Sequence, residues 1–146
     1  MRIRSDQLHR FPVPPEELWA AMGRVDDYRT WWPWLRAFDA VELRDGEVWS
    51  ATVRPPLPYR LRFDLRLHDV VAPSHVSAEV TGDLVGTARI EIVPIADGAS
   101  LHVVSDLAPA NRMLRSVMRV APHVARFGHD WVLSTGLRQF NARALP

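Results

Sequence analysis

Between residues 59 and 68 the chain alternates without a break. Tyr59, Leu61, Phe63, Leu65 and Leu67 are separated by Arg60, Arg62, Asp64, Arg66 and His68. A period of two predicts an antiparallel strand with one face buried and the other wet. Val76, Ala78 and Val80 continue the pattern on a following strand. Leu84, Ala88, Ile90 and Ile92 supply another, ended by Pro94. Asp97-Gly98 is a turn, after which Leu101, Val103, Ser105 and Leu107 form the last strand. Earlier, residues 2–11 form a strand stopped by Pro12. Residues 38–43 and 48–53 read as two strands about the hairpin signal Arg44-Asp45-Gly46-Glu47. Pro55, Pro56 and Pro58 interrupt the pattern before Tyr59.

Helical segments flank this run of strands. Pro14-Pro15-Glu16-Glu17-Leu18-Trp19-Ala20-Ala21-Met22 has prolines suited to a first turn and glutamates suited to the positive end of a helix dipole. Gly23 ends it, and a second short helical or irregular piece covers 25–31. From Asn111 the period changes. Met113, Val117, Val120, Val124, Phe127, Trp131 and Thr135 recur at steps of three and four, which predicts a long amphipathic helix facing the sheet with this stripe. Pro122 should kink or restart it. Strands followed by a helix predict an α+β domain, residues 1–146, with an antiparallel sheet of about seven strands.

Composition narrows the class of protein. A chain of 146 residues buries roughly 70% of its unfolded surface, enough for a sizeable core. The net charge of +1 gives no whole-molecule pull toward nucleic acid or an anionic membrane. All 18 basic residues are arginine, a bias consistent with a GC-rich bacterial genome. The absence of cysteine excludes disulfides, thiolate metal sites and a cysteine nucleophile. The first residues carry no apolar signal-peptide core, and no run approaches the ~18 apolar residues of a membrane span. The expectation is a cytoplasmic protein without stable membrane insertion. The six histidines show no HxH, HxxH or HExxH spacing, and no GxSxG, Walker A or GxGxxG motif occurs. Neither a metal nor another cofactor is expected.

Several short motifs then fall in order along nearly the whole chain. They are Phe11-Pro12-Val13-Pro14-Pro15-Glu16-Glu17-Leu18-Trp19, Tyr28-Arg29-Thr30-Trp31-Trp32-Pro33 and Leu57-Pro58-Tyr59-Arg60-Leu61. Gly82-Asp83-Leu84-Val85-Gly86 and Gly128-His129-Asp130-Trp131 with Gly136-Leu137 follow. Together they resemble the polyketide cyclase/dehydrase and START-like (SRPBCC) superfamily, also called Bet v 1-like. The resemblance implies a helix-grip fold, in which a curved sheet wraps a long C-terminal helix and two short helices follow the first strand. It implies a cavity between sheet and helix, and a hydrophobic small molecule such as a lipid, polyketide or other aromatic or isoprenoid compound as partner. It also admits a cyclase or dehydratase using a cavity acid/base group. A protein-interaction module of a stress or toxin–antitoxin system is a third class. The fold does not choose among them.

Against that expected cavity, alternation points Tyr59, Leu61, Phe63 and Leu65 inward, and the helical stripe offers Val124, Phe127 and Trp131 opposite them. Trp31, Trp32 and Trp34 either gate the cavity mouth or plug the core; Trp31 and Trp34 are carried as ligand-contact candidates. His129, Asp130 and Tyr59 are the candidate catalytic groups. His129 and Asp130 are adjacent on a helix, so their side chains diverge by about 100° and are not expected to form one dyad. His129 lies off the apolar stripe, and the preferred reading is that it pins the helix to a neighbouring strand or loop. His9 shares strand parity with Phe11, although an exposed strand end is the simpler reading. Arg60, Arg62 and Arg66, interrupted by Asp64, read as a solvated sheet face and not as a nucleic-acid surface.

Overall fold

In the computed structural model the strands are β1 (Ile3–Phe11), β2 (Leu35–Asp39), β3 (Val48–Val53), β4 (Leu61–Val71), β5 (His75–Gly82), β6 (Leu84–Ile95) and β7 (Gly98–Pro109). The helices are α1 (Pro15–Met22), α2 (Tyr28–Trp31), α3 (Arg112–Val120) and α4 (Pro122–Ala144), with a single 3-10 turn at Val25–Asp27. The structure describes residues 2–57 and 59–145; Pro58, read above as one of the breaks before Tyr59, lies outside them.

All neighbouring strands pair antiparallel, in the order β1-β7-β6-β5-β4-β3-β2. The sheet curls so that one face packs on α1, α2 and α4, the arrangement of a helix-grip fold. β3 occupies the segment expected from alternation. β2 lies earlier than the predicted 38–43, because pairing with β3 begins at Leu35↔Val53 and ends at Asp39↔Ser50. β4 begins at Leu61, so Tyr59 projects from the loop before it.

Register explains where space remains inside. Leu67 pairs with Ala78, Ala78 with Ala88, Ala88 with Ser105, and Ser105 with Ser5. Four small residues thus form one cross-strand row on the concave face. The rows beside it carry larger groups such as Val76, Ile90 and Val103. A row of short side chains opposite a helix leaves room that its neighbours fill.

The C-terminal helical region breaks at Ala121, as Pro122 predicts, and the break resets the helical phase. Asn111 Oδ1 accepts a hydrogen bond from Leu114 N at 2.7 Å and caps α3. Pro122 opens α4, where a missing N–H costs nothing. α3 buries Leu114 and Met118, while Met113 and Val120 face solvent. α4 buries Gly128, Thr135, Gly136, Phe140 and Ala144. The predicted stripe is therefore only partly inward: Thr135 is buried and Val117 packs beside Leu114 and Met118, but Phe127 is 53% exposed, and Val124 and Trp131 are only half-buried. Helix periodicity weighs apolar residues, but the face turned to the sheet carries glycine, histidine and threonine at several of its positions.

Candidate functional site

The tryptophans fix α4 over the sheet. Trp32 Nε1 donates to Gly136 O at 2.8 Å, and Trp34 Nε1 donates to Gln139 Oε1 at 2.9 Å. Trp32 and Trp34 stack with centroids 5.5 Å apart, and an added Cβ on Gly136 would lie 3.2 Å from Trp34 Cζ2. Glycine at 136 lets the indoles approach the helix backbone. Trp31 is buried in the core, where its ring meets Phe140 edge-on at 5.5 Å. Trp34 meets Trp131 at 6.4 Å. Trp31 and Trp34 thus belong to helix docking and line neither interior cavity. Trp32 alone of the three reaches a cavity wall.

Two cavities adjoin beneath α4. One, about 220 Å³, is walled by Met22, Tyr28, Trp32, Trp49, Leu67, Leu101, Leu137 and Phe140 among others. The second, about 190 Å³, is walled by Tyr59, Leu61, Phe63, Val80, Val103, Ser105, Leu114, Gly128, His129, Val132 and Leu133 among others. Leu65 and Ala88 line both. The cavities meet at the small-residue row, which is what its short side chains permit. Inside the first, the Tyr28 hydroxyl donates to Met22 O, and its burial pushes the phenol pKa well above the usual value.

The second cavity holds polar side chains. Its lining is apolar except for Ser105, His129 and the Tyr59 hydroxyl. His129 Nε2 lies 3.4 Å from Ser105 Oγ, a long and weak contact. His129 Nδ1 is buried without a hydrogen-bond partner among the described residues. Asp130 Oδ1 approaches it to 3.7 Å, beyond hydrogen-bonding distance. Burial lowers the His129 pKa below its ordinary 6.5, partly opposed by the Asp130 carboxylate, so the ring is neutral at pH 7. Burial likewise raises the Tyr59 pKa, so its hydroxyl stays protonated. Gly128 holds α4 against this wall: an added Cβ would lie 2.7 Å from Tyr59 Oη and 2.8 Å from Leu57 Cδ1.

Tyr59, Leu61, Phe63 and Leu65 come together on one cavity wall, as alternation indicates. His129 faces the cavity and also abuts Ser105 on β7, so the expectation that it lies on another face is corrected. Asp130 stands outside the lining with its side chain 46% accessible. Val124, Phe127 and Trp131 line neither cavity; Val132, Leu133, Leu137 and Phe140 take their places. His9 is half-buried, not an exposed strand end, with Nε2 3.0 Å from Gln7 Oε1. Arg60, Arg62 and Arg66 are exposed, and Arg66 pairs with Glu79 at 3.0 Å. Ser105 was legible as a polar residue at the inward parity of β7. Gly128 carried no hydrophobic signal at all.

Residues 2–144 match the family model described as polyketide cyclase / dehydrase and lipid transport. The chain belongs to this family. Solved structures share the fold of this family member over nearly its whole length. The CV1439 protein from Chromobacterium violaceum aligns with a TM-score of 0.69 at 19% identity, covering 98% of each chain. Ara h 8.0201 aligns at 0.70 and 12% identity, covering 99% of each. A conserved protein from Geobacillus kaustophilus aligns at 0.73 and 12% identity, covering 98% of this chain and 95% of its own. At such identities the likeness concerns the fold, which is Bet v 1-like. No curated protein matches the sequence. Family membership supports a hydrophobic ligand-binding role for this member.

Proposed function

We propose that the protein binds an elongated apolar small molecule beneath α4, its polar end held by Ser105, His129 and Tyr59. The observation that carries this reading is one polar cluster in an otherwise apolar lining. A few placed polar groups in an apolar wall orient a ligand, while burial of its apolar body supplies most of the affinity. Each cavity alone is smaller than the roughly 300 Å³ of ordinary ligand sites, but they adjoin at Leu65 and Ala88. A ligand long enough to enter both would pass over the small-residue row. Neutral His129 offers a donor or acceptor without the cost of burying a charge.

The test is a fluorescence titration with an anthracene-labelled fatty acid, a fluorescent sterol and an aromatic polyketide. Saturable binding of at least one, weakened by Ala88→Leu and by His129→Leu, supports the reading. Absence of binding across the panel refutes it.

A second reading rests on His129 itself. A neutral imidazole on the wall of an apolar cavity, its Nε2 only weakly engaged by Ser105, is equipped to take a proton from a carbon acid in a cyclisation or dehydration. In this reading the Tyr59 hydroxyl, on the wall of the same cavity, donates to the developing enolate oxygen. If His129→Gln abolishes turnover of a bound polyketide while leaving its affinity within about threefold, catalysis is established; unchanged turnover removes it.

A further inference from the structure

Three residues of the stripe that periodicity assigned to the core instead lie on the surface at the α3–α4 elbow. Met113 is 51% exposed, Val120 83% and Phe127 53%. Met113 and Val120 are seven residues apart on α3, so they project from the same side of the helix. Arg112, Arg115 and Arg119 accompany them on α3, and Arg126 lies on the first turns of α4. All four arginines are exposed, and none forms an ion pair among the described residues. No Asp or Glu occurs from 107 to 129. The net charge of +1 therefore conceals a strongly basic, apolar-tipped elbow. It sits beside the second cavity, to which Leu114, Gly128 and His129 contribute walls.

We infer that the α3–α4 elbow docks on the surface of an anionic lipid bilayer. The charge requires an anionic partner. Exposed valine and phenylalanine gain nothing from a phosphate backbone or a polar surface, but gain by entering the acyl boundary beneath lipid headgroups. Arginines flanking them reach the headgroup phosphates. This is surface attachment, compatible with the lack of any described helix long and apolar enough to cross a membrane. The inference stands on residues separate from the polar cluster of the cavity.

The experiment is flotation of the full chain with vesicles of phosphatidylglycerol and phosphatidylcholine, and with phosphatidylcholine alone, at low and high salt. Binding to the anionic vesicles alone, reduced by salt, is expected. Each arginine neutralised should weaken it about fivefold, the equivalent of ~1 kcal/mol per basic residue near the surface. R115Q/R119Q together should lose on the order of 25-fold. V120S/F127S should weaken it as well, with the circular dichroism of both double variants unchanged, because these side chains are exposed. Titration of R115Q/R119Q with the fluorescent probes in solution should match wild type, which separates this inference from the cavity reading. Equal binding to both vesicle types, no binding to the anionic ones, or variants that float like wild type would overturn it. So would a dimer that V120S/F127S dissociates with no vesicle binding, since a second copy would then own the face.

Discussion

Substitution of Gly128 by alanine tests how α4 is seated. By helix propensity alone the change should stabilise, since alanine in a helix interior is better than glycine by about 1 kcal/mol. The packing opposes this. The new methyl would lie 2.7 Å from Tyr59 Oη, 2.8 Å from Leu57 Cδ1 and 3.7 Å from Pro55 Cγ. Leu57 can relieve its contact by changing rotamer, whereas the Tyr59 ring is buried against the cavity wall. Overpacking of this kind costs about 1–3 kcal/mol. The expected net effect is a loss of about 1 kcal/mol, or a Tm lower by roughly 3 °C for a chain of this size. Urea denaturation followed by tryptophan fluorescence gives the free energy. Tyr59→Phe removes the 2.7 Å contact, so the double variant Gly128→Ala/Tyr59→Phe should recover about 1 kcal/mol beyond additivity. If Gly128→Ala raises stability by the amount propensity gives, α4 does not rest on Tyr59 and the reasoning fails.

Other consequences concern buried polar groups. Tyr28→Phe removes the donor to Met22 O and leaves a buried carbonyl unpaired, so stability should fall by about 1–2 kcal/mol in urea melts. Trp32→Phe should cost about 1–3 kcal/mol, because Gly136 O loses its indole donor and the ring that replaces it is smaller; a change within 0.3 kcal/mol would contradict that docking role. The native state resists protonation of His129, while the unfolded chain takes up the proton below its ordinary pKa of 6.5. The stability contribution is therefore present above pH 6.5 and is lost as pH falls through the native pKa. His129→Gln should flatten the fall in stability between pH 7.5 and 5; an identical pH slope in wild type and variant would show that His129 is not the group responsible.

The sheet was readable because its buried and wet positions differ in chemistry along most strands. Leu61, Phe63 and Leu65 needed only their spacing to be placed on the cavity wall. Tyr59 shares that wall although it projects from a loop, so its parity with β4 placed it correctly even though the strand starts later. The C-terminal region behaved otherwise. A continuous stripe through Met113, Val120 and Phe127 fits a helix facing the core, yet Ala121 breaks the helix and these residues face solvent. The inward face of α4 is defined by close approach instead. Gly128 meets Tyr59, Gly136 meets the indoles, and His129 meets Ser105. Such contacts join residues distant in sequence and leave no local periodicity. The indoles show a related limit: composition marks Trp31, Trp32 and Trp34 as a cluster, but only the docked helix separates Trp32 at the cavity from Trp31 in the core.

The most direct test of a ligand site beneath α4 is a titration followed by nuclear magnetic resonance, observing methyl groups and histidine ring protons together. With the fatty acid, sterol or polyketide that binds, the account predicts saturable shifts of the Leu65, Val132 and Leu133 methyls and of the His129 ring, with a common Kd. Shifts confined to exposed residues such as Val41 or Val93, with the His129 ring unmoved at saturation, would contradict it.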